Sequence, residues 1–217
     1  MVEGAGLLVL AAGASQRMGA PKALLPFGVG SGETFLTHIL AQAAAVGVRS
    51  AVVVLGPPHG GLIREALQGR SREVQVAWND APERGMLSSV QAGLPLLEAV
   101  AGALVWPVDM PFVQRSTVRC IMTAASQREV AAAAQREEFA APLIIPTHDG
   151  RGGHPIWVPA DLFKETLLLP TEEGLRALRR RHPGREARLP VADPAVLCDV
   201  DTREALAEAW QRLSEEK

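Results

Sequence analysis

The sequence predicts an α/β protein with a Rossmann-like, doubly wound, mostly parallel sheet, and three observations support this fold class. Four short runs in the first half are apolar on both faces, as parallel strands are when helices cover both sides of the sheet. Segments with helical periodicity separate these runs, and this alternation is typical of a doubly wound sheet. Apolar residues make up 47% of the 217 residues, which is enough for the core of one domain spanning residues 1–217.

The elements follow from periodicity in chain order. Strands of the first half are predicted at residues 7–10, 51–55, 73–78 and 103–106, and helices at residues 34–46, 59–67, 87–100 and 115–127. In the second half, strands are predicted at residues 141–146 and 154–158, around a turn rich in glycine. Helices are predicted there at residues 160–168, 172–181 and 202–216. This half is expected to extend the sheet, cap the cleft and end in a helix.

Charge and cysteine content argue against several function classes. The formal net charge is -2 and the basic residues form no long patch, unlike a duplex nucleic-acid binder that neutralises many phosphates. Cys120 and Cys198 have neither a C-x-x-C spacing nor a histidine pair nearby, so we expect two buried thiols rather than a zinc site or a disulfide. The N-terminus has no basic leader and its apolar run is short, which predicts a soluble, cytoplasmic protein without membrane partners.

A phosphate loop, residues 10–22, follows the first predicted strand. In open α/β sheets, ligands bind where such loops leave the carboxyl ends of strands. Arg17 offers a forked guanidinium to phosphate oxygens, and Lys22 offers a compact ammonium. The loop is not a Walker A motif, because no Gly-Lys-Ser/Thr closes it. It is not a dinucleotide-binding fingerprint either, because Gly4 and Gly6 precede the strand and the glycines of that fingerprint follow it. The residues expected to let a nucleotide approach the backbone are Leu10, Ala11, Ala12 and Gly13.

The stretch L-A-A-G-A-S-Q-R-M-G-A-P-K-A-L-L-P-F-G, residues 10–28, resembles the signature of the molybdenum cofactor nucleotidyltransferases within the MobA-like NTP transferases. It is most similar to that of the cytidylyltransferases that make molybdopterin cytosine dinucleotide. The resemblance implies a nucleotidyltransferase fold, Mg²⁺ as cofactor, CTP as donor and phosphorylated molybdopterin as acceptor. It also implies a molybdenum hydroxylase or its accessory protein as downstream partner.

Two later segments place polar residues at predicted strand ends. Asn79 follows the third strand, and Gly85 precedes a helix opened by Ser88 and Ser89, whose free N–H groups can bind a ligand. In the resembled family this segment reads N…G-M-x-S-S/T and its serine lies near the base, which implies that Ser89 contacts the nucleotide; helix capping is the alternative.

Asp109 follows the fourth strand. The resemblance implies that it holds magnesium, whereas a lone aspartate here is as often a cap or turn residue.

Two further segments of the second half match the family. The Gly-His-Pro turn around His154 lies beside the acceptor in relatives, which implies substrate contact, although a lone histidine near a strand is usually structural. The stretch C-D-V-D-T-R-E-A-L resembles the pattern D-x-D-T-x-E-D-L, whose second aspartate is a metal ligand. This implies a metal-binding role for Asp201, with capping of the last helix as the alternative. Ala205 replaces an aspartate of the pattern, and residues 179–181 are interpreted as a solvated helix face.

The expected chemistry is metal-assisted nucleotidyl transfer. Asp109 and Asp201 are predicted to hold Mg²⁺ against the α-phosphate, and Arg17 and Lys22 to neutralise the departing pyrophosphate. An acceptor phosphate is already ionised at neutral pH, so no strong general base is needed. Arg17, Lys22 and Asp109 are therefore the predicted catalytic residues.

Two positions bear on nucleotide choice, and the sequence leaves alternatives open. Guanylyl-transferring relatives have glycine in place of Ala12, whose methyl group should narrow the base site in favour of a pyrimidine. The Asp-Met-Pro at Met110, however, is familiar from those relatives, whereas Asp-Gln-Pro is more frequent in cytidylyltransferases. The alternatives are cytidylyl or guanylyl transfer to another phosphorylated small molecule, such as a sugar or polyol phosphate, and a non-catalytic cofactor-binding accessory protein.

Overall fold

The computed structural model describes residues 4–28, 30–68, 74–135 and 141–215. Within these ranges, eight strands form one sheet. They are β1 (Ala5–Leu10), β2 (Ser50–Leu55), β3 (Val74–Trp78), β4 (Gly102–Pro107), β5 (Leu143–His148), β6 (Arg151–Gly152), β7 (Ile156–Pro159) and β8 (Glu186–Pro190). The α-helices in the described ranges are α1 (Phe35–Ala44), α2 (Gly60–Ala66), α3 (Met86–Gly93), α4 (Arg115–Gln135), α5 (Phe163–Leu168), α6 (Arg176–Arg181) and α7 (Arg203–Glu215).

The strand order places two strand ends side by side. The sheet runs β3-β2-β1-β4-β7-β5-β6, and β8 pairs with β5. Strands β1 to β4 are mutually parallel, whereas β7 runs antiparallel to both β4 and β5. The chain therefore moves outward from β1 to β3 and returns to β4 on the other side of β1. In such sheets, ligands bind at the carboxyl ends of the two strands where the order reverses, here β1 and β4.

Apolar layers cover both faces of the sheet. Successive strand residues face opposite sides, so Leu7 and Val9 of β1 pack in one layer and Leu8 in the other. Helices α1 and α4 contribute to the first layer and α3 to the second. Every residue of β1 and β4 is buried, and full burial of one leucine side chain contributes about 1.5–3 kcal/mol. The mostly parallel, doubly wound fold class is thus confirmed, with its core directly beneath the two strand ends.

Two helices of the first half differ from the prediction. The helix predicted at residues 87–100 gives way after Gly93 to a 3₁₀ turn, Leu94–Leu96. Pro95 lies in this turn and has no backbone N–H to continue the α-helical hydrogen bonds. Helix α4 extends to Gln135, beyond the predicted end at residue 127. Its exposed face carries Cys120, and Cys198 is partly exposed, so the expectation that both thiols are buried was wrong.

The second half contains a strand that was not predicted. In β8, Ala187 and Leu189 alternate with the more polar Glu186 and Arg188, but Pro190 ends a segment too short for the pattern to stand out. The strand predicted at residues 154–158 begins at Ile156. The helix predicted at residues 172–181 begins as a 3₁₀ turn, Thr171–Glu173, and α6 starts only after Gly174, whose φ is +62°. The single domain over residues 1–217 remains a prediction, and no described helix is both long and apolar enough to cross a membrane.

Candidate active site

The phosphate loop leaves β1 with free backbone donors. Ala11 N–H still bonds to the Val54 carbonyl at 2.9 Å, but the next four residues, 12–15, donate no backbone hydrogen bond to any described residue. Ser15 has a φ of +49° and its carbonyl accepts from Met18 N–H at 3.0 Å, which turns the chain back toward Lys22. Successive free N–H groups around a turn form a concavity suited to an anion.

Neighbouring strand ends pack tightly against this loop. A Cβ atom at Gly56, just after β2, would lie 2.6 Å from the Asn79 carbonyl oxygen and 3.1 Å from Cβ of Ala12. Glycine therefore allows the ends of β2 and β3 to approach the loop closely. His59 at the start of α2 places Nε2 3.1 Å from the Ala14 carbonyl oxygen. This imidazole connects α2 to the middle of the phosphate loop.

Two cations and two carboxylates meet beside the loop. Nζ of Lys22 lies 3.1 Å from Oδ2 of Asp109 and also donates a hydrogen bond to Oδ1 of Asp201. The Arg17 guanidinium donates to the other oxygen of Asp201. The Lys22 side chain is only 11% exposed, whereas Arg17 is 69% exposed at the rim. The structure thus brings together all four charged residues for which the sequence predicted catalytic or metal-binding roles.

Local backbone contacts explain why these side chains converge. Lys22 opens the 3₁₀ turn Lys22–Leu24, and its N–H donates to Ser15 Oγ at 3.2 Å. The Asp109 carbonyl accepts from Val200 N–H at 2.7 Å, which docks the segment before α7 against the end of β4. Thr202 Oγ1 accepts from Ala205 N–H at the start of α7, so a residue other than Asp201 caps this helix. The Asp201 carboxylate faces the cations instead.

The cations determine the protonation state of Asp201. The hydrogen bond from Lys22 and the nearby charge of Arg17 hold the pKa of the Asp201 carboxyl below its ordinary value, and partial burial opposes this shift. Asp201 is therefore ionised at neutral pH. The cluster therefore holds an ionised carboxylate at a position where it could also bind a metal ion.

The donor set fits one kind of metal site. Among the described residues, no three His, Cys, Asp or Glu side chains are grouped to hold a metal ion. The carboxylates of Asp109 and Asp201 nevertheless converge on a single cation, Nζ of Lys22. Mg²⁺ often takes only one or two carboxylates and completes its shell with water and substrate phosphates, whereas structural zinc requires four protein ligands. The pair therefore fits a substrate-bridged magnesium-type ion and does not fit a closed zinc site.

A small cavity of about 210 Å³ adjoins this cluster. Its wall includes residues 10–13 of the phosphate loop, Lys22 and Asp109, and also Gly85 and Ser89. Asn79 does not line it. Its buried amide donates to Ser88 Oγ and to Ser89 Oγ, each at 2.9 Å, so Asn79 holds the serine that faces the cavity. Helix α3 begins at Met86, two residues before Ser88, after Gly85 with a φ of +98°.

A large cavity of about 710 Å³ lies on the other side of Gly85 and Met86, which line both cavities. His154 lines the large cavity, and its Nδ1 is 3.4 Å from the Val105 carbonyl oxygen. Burial lowers the pKa of His154 below its ordinary value, although the carbonyl and the charge of Asp109 oppose this shift. The imidazole is therefore neutral at pH 7. It stands apart from the small cavity, on the side that faces the second half of the chain.

Sequence reasoning missed several residues of this region. His59 and Met86 carried no signal beyond their place near a helix start, and only the folded chain shows that they contact the loop or separate the cavities. Arg179 was interpreted as part of a solvated face, but it makes a bidentate pair with Glu186 at 2.7 and 2.9 Å. That pairing could not be anticipated because strand β8, which carries Glu186, was not predicted.

Comparison with known protein families assigns most of the chain to one family. The model of the MobA-like NTP transferase domain matches residues 7–187, from β1 into β8. The chain belongs to the MobA-like NTP transferase family. It is accordingly a nucleotidyltransferase, and the family resemblance inferred from the phosphate loop is confirmed. The match includes Arg17, Lys22 and Asp109, whereas Asp201 lies beyond its end.

Two kinds of curated protein are similar to this MobA-like chain. It is 24% identical to the molybdenum cofactor cytidylyltransferase of Escherichia coli K12 over 208 residues, which cover 96% of each chain. It is also 34% identical over 121 residues to the bifunctional protein GlmU of Burkholderia ambifaria AMMD. That match covers 55% of this chain and 25% of GlmU. The chain therefore spans about a quarter of the length of its GlmU relatives.

Solved structures share the fold across almost the whole chain. Rv0371c from Mycobacterium tuberculosis H37Rv superposes with a TM-score of 0.74 at 26% identity, covering 97% of this chain and 99% of that one. Rv0371c has also been solved in complex with manganese, with a TM-score of 0.69 at 24% identity and coverages of 95% and 98%. A nucleotidyl transferase from Methanothermobacter thermautotroptrophicus, Mth528, has a TM-score of 0.75 at 21% identity, with coverages of 99% and 100%. These likenesses establish the nucleotidyltransferase fold.

Proposed function

We propose that this MobA-like chain is a CTP:molybdopterin cytidylyltransferase that transfers CMP to the phosphate of molybdopterin and releases pyrophosphate. The observation that carries the proposal is the convergence of Lys22, Asp109 and Asp201 beside a loop with free N–H groups. The whole-length likeness to the E. coli molybdenum cofactor cytidylyltransferase supports this choice of substrates. On this proposal, the product passes to a molybdenum hydroxylase or its accessory protein.

The two cavities divide the substrates between them. The small cavity holds the triphosphate, with its phosphates on the free N–H groups of residues 12–15 and its base toward Ser89. The large cavity holds the acceptor, and His154 contacts it as a neutral hydrogen-bonding group. Since Gly85 and Met86 line both cavities, the acceptor phosphate can reach the α-phosphate across this boundary. The Ala12 methyl group limits the depth available to the base and favours cytosine.

The reaction follows from charge placement. An ionised oxygen of the acceptor phosphate attacks the α-phosphorus of CTP in line, a new P–O bond forms, and the bond to the β-phosphate oxygen breaks. Lys22 and Arg17 hold the negative charge that develops on the departing pyrophosphate. Asp109 and Asp201 would hold Mg²⁺, which supplies Lewis-acid stabilisation of the phosphate charge when bound. Because the attacking oxygen carries no proton at neutral pH, the residues position and stabilise rather than remove a proton.

Pyrophosphate release tests the proposal. Purified protein with Mg²⁺, CTP and molybdopterin should release pyrophosphate, and replacing CTP with GTP should lower kcat/KM about tenfold or more. Replacing molybdopterin with a sugar phosphate or a polyol phosphate should abolish release. Faster release with one of these acceptors would show that the acceptor is wrongly assigned. Absence of release with every donor and acceptor pair would contradict the catalytic proposal itself.

A further inference from the structure

The large cavity contains arginines that have no acidic partner in the described ranges of the chain. Arg84, Arg151 and Arg176 line it, and among the described residues none of their guanidinium groups makes a hydrogen bond or ion pair. By contrast, Arg179 in the same wall is neutralised by Glu186. The wall therefore contains one arginine with an ion-pair partner and three exposed arginines without one in the described part of the chain.

The carboxylates of the wall do not balance these charges. Glu173 pairs with Arg180 at 2.7 Å, which leaves Glu172 as the acidic lining residue without a cation in the described part of the chain. Among the described lining residues, three guanidinium groups and one carboxylate thus have no ion-pair partner. A cavity with this excess of positive charge attracts an anionic ligand and repels a cationic one.

The three arginines occupy different parts of the wall. Arg84 directly precedes Gly85, at the boundary with the small cavity. Arg151 belongs to the edge strand β6, and Arg176 opens α6, so both come from the second half of the chain and line only the large cavity. Apolar residues of the neighbouring strands, Ile145 among them, line the same cavity. The wall therefore combines a cation at the boundary, an apolar surface and two further cations.

We propose that Arg151 and Arg176 bind a second anionic group of the acceptor, distinct from the phosphate that attacks CTP. The inference rests on the proposed function, because it takes the large cavity as the acceptor site. Planar guanidinium groups bind oxyanions with paired hydrogen bonds. The acceptor selected here carries an anionic group in addition to the reacting phosphate. Acceptors that carry only the reacting phosphate leave Arg151 and Arg176 without a partner and bind more weakly.

Equilibrium dialysis with radiolabelled inorganic phosphate tests the site without turnover. The protein is first saturated with CTP and Mg²⁺, so that the phosphate loop is occupied. We expect R151A and R176A each to weaken phosphate binding about tenfold or more, as for loss of a hydrogen bond to a charged group. The matched control is R119A, since Arg119 is an exposed arginine on α4 that lines neither cavity. Wild-type phosphate binding in both R151A and R176A, or a loss confined to R84A, would overturn the proposal.

Turnover separates this inference from the proposed function. With molybdopterin and CTP, R151A and R176A should raise KM for the acceptor about tenfold and leave KM for CTP unchanged. If phosphate binding depends on both arginines but molybdopterin is not a substrate, the anion site stands and the proposed acceptor is wrong. If molybdopterin is turned over with wild-type KM by both variants, the second anion site is wrong and the proposed function stands.

Discussion

Nζ of Lys22 lies 3.1 Å from Oδ2 of Asp109 and also donates a hydrogen bond to Asp201, so one ammonium bridges two carboxylates from different parts of the chain. Two carboxylates this close repel each other unless a cation lies between them. The Lys22 ammonium therefore offsets the repulsion between the two carboxylates in the absence of substrate. On the proposed function, a triphosphate that arrives with its own divalent ion would compete for the same groups, which would couple nucleotide binding to the carboxylate pair.

Removal of the bridging ammonium should abolish activity. We expect K22A to lower kcat about 10²–10³-fold, because one preorganised charge on the departing pyrophosphate is lost. Pyrophosphate release measures the effect, and circular dichroism verifies that the fold persists. K164A is the matched control, since Lys164 is an exposed lysine on α5 outside both cavities. Turnover by K22A at the rate of K164A would refute the role of Lys22.

The Ala12 methyl group should influence the choice of base. We expect A12G to raise the ratio of kcat/KM for GTP to that for CTP about tenfold, since one methyl group in a pocket is worth about 1–3 kcal/mol. Thermal melting of wild-type protein with each triphosphate at the same concentration gives an independent measure, because the ligand with the lower Kd stabilises the folded state more and raises Tm further. A larger increase in Tm with GTP than with CTP would contradict the cytidylyl assignment.

The hydrogen bond from His59 to the Ala14 carbonyl should position the phosphate loop. A planar trans peptide fixes the N–H of Ser15 opposite to that carbonyl, so the bond orients a donor of the loop. We expect H59A to raise KM for CTP by about three- to tenfold with little change in kcat, and H59Q to restore part of the loss through its amide donor. L62A is the control, because Leu62 is an exposed residue of the same helix. Equal KM values in H59A and L62A would show that His59 has no positioning role.

Burial of His154 should make stability depend on pH. Because its pKa is lowered in the folded state, the unfolded chain takes up a proton first as pH falls through about 6.5. The free energy of unfolding should therefore decrease as the pH falls from about 6.5 to the lower folded-state pKa of His154. Above about pH 6.5, His154 should not affect how stability depends on pH. Urea unfolding at a series of pH values measures the slope, which H154Q should reduce. His38, whose pKa burial also lowers, contributes to the slope in both proteins, and identical profiles for wild type and H154Q would contradict the assignment.

The general position of the site could be predicted from the sequence, since loops at the carboxyl ends of parallel strands meet at one edge of the sheet. Arg17, Lys22 and Asp109 each follow or belong to such a loop, and the structure brings them together as expected. The contact of Asp201 with this group required the Val200 hydrogen bond to the Asp109 carbonyl, a long-range pairing that no local pattern indicates. The sequence also could not distinguish Asn79, which is buried behind Ser89, from a residue that faces the cavity.

The second half was less predictable because its structure depends on tertiary contacts. Strand β8 has few apolar residues and is stabilised by pairing with β5, so the periodicity of its sequence is weak. Without that strand, the partner of Arg179 was unknown, and paired arginines could not be separated from unpaired ones. The distinction between Arg179 and Arg176, on which the second anion site depends, is visible only in the folded chain.

Metal binding tests the central claim most directly, namely that Asp109 and Asp201 jointly hold a divalent ion against the triphosphate. Electron paramagnetic resonance can follow Mn²⁺ binding in the presence of CTP for the wild type, D109N, D201N and the control D199N, whose aspartate is exposed two positions from Asp201. The account predicts that D109N and D201N each weaken Mn²⁺ binding about tenfold or more, whereas D199N binds as the wild type does. Mn²⁺ binding by D109N or D201N with the affinity of D199N would contradict it.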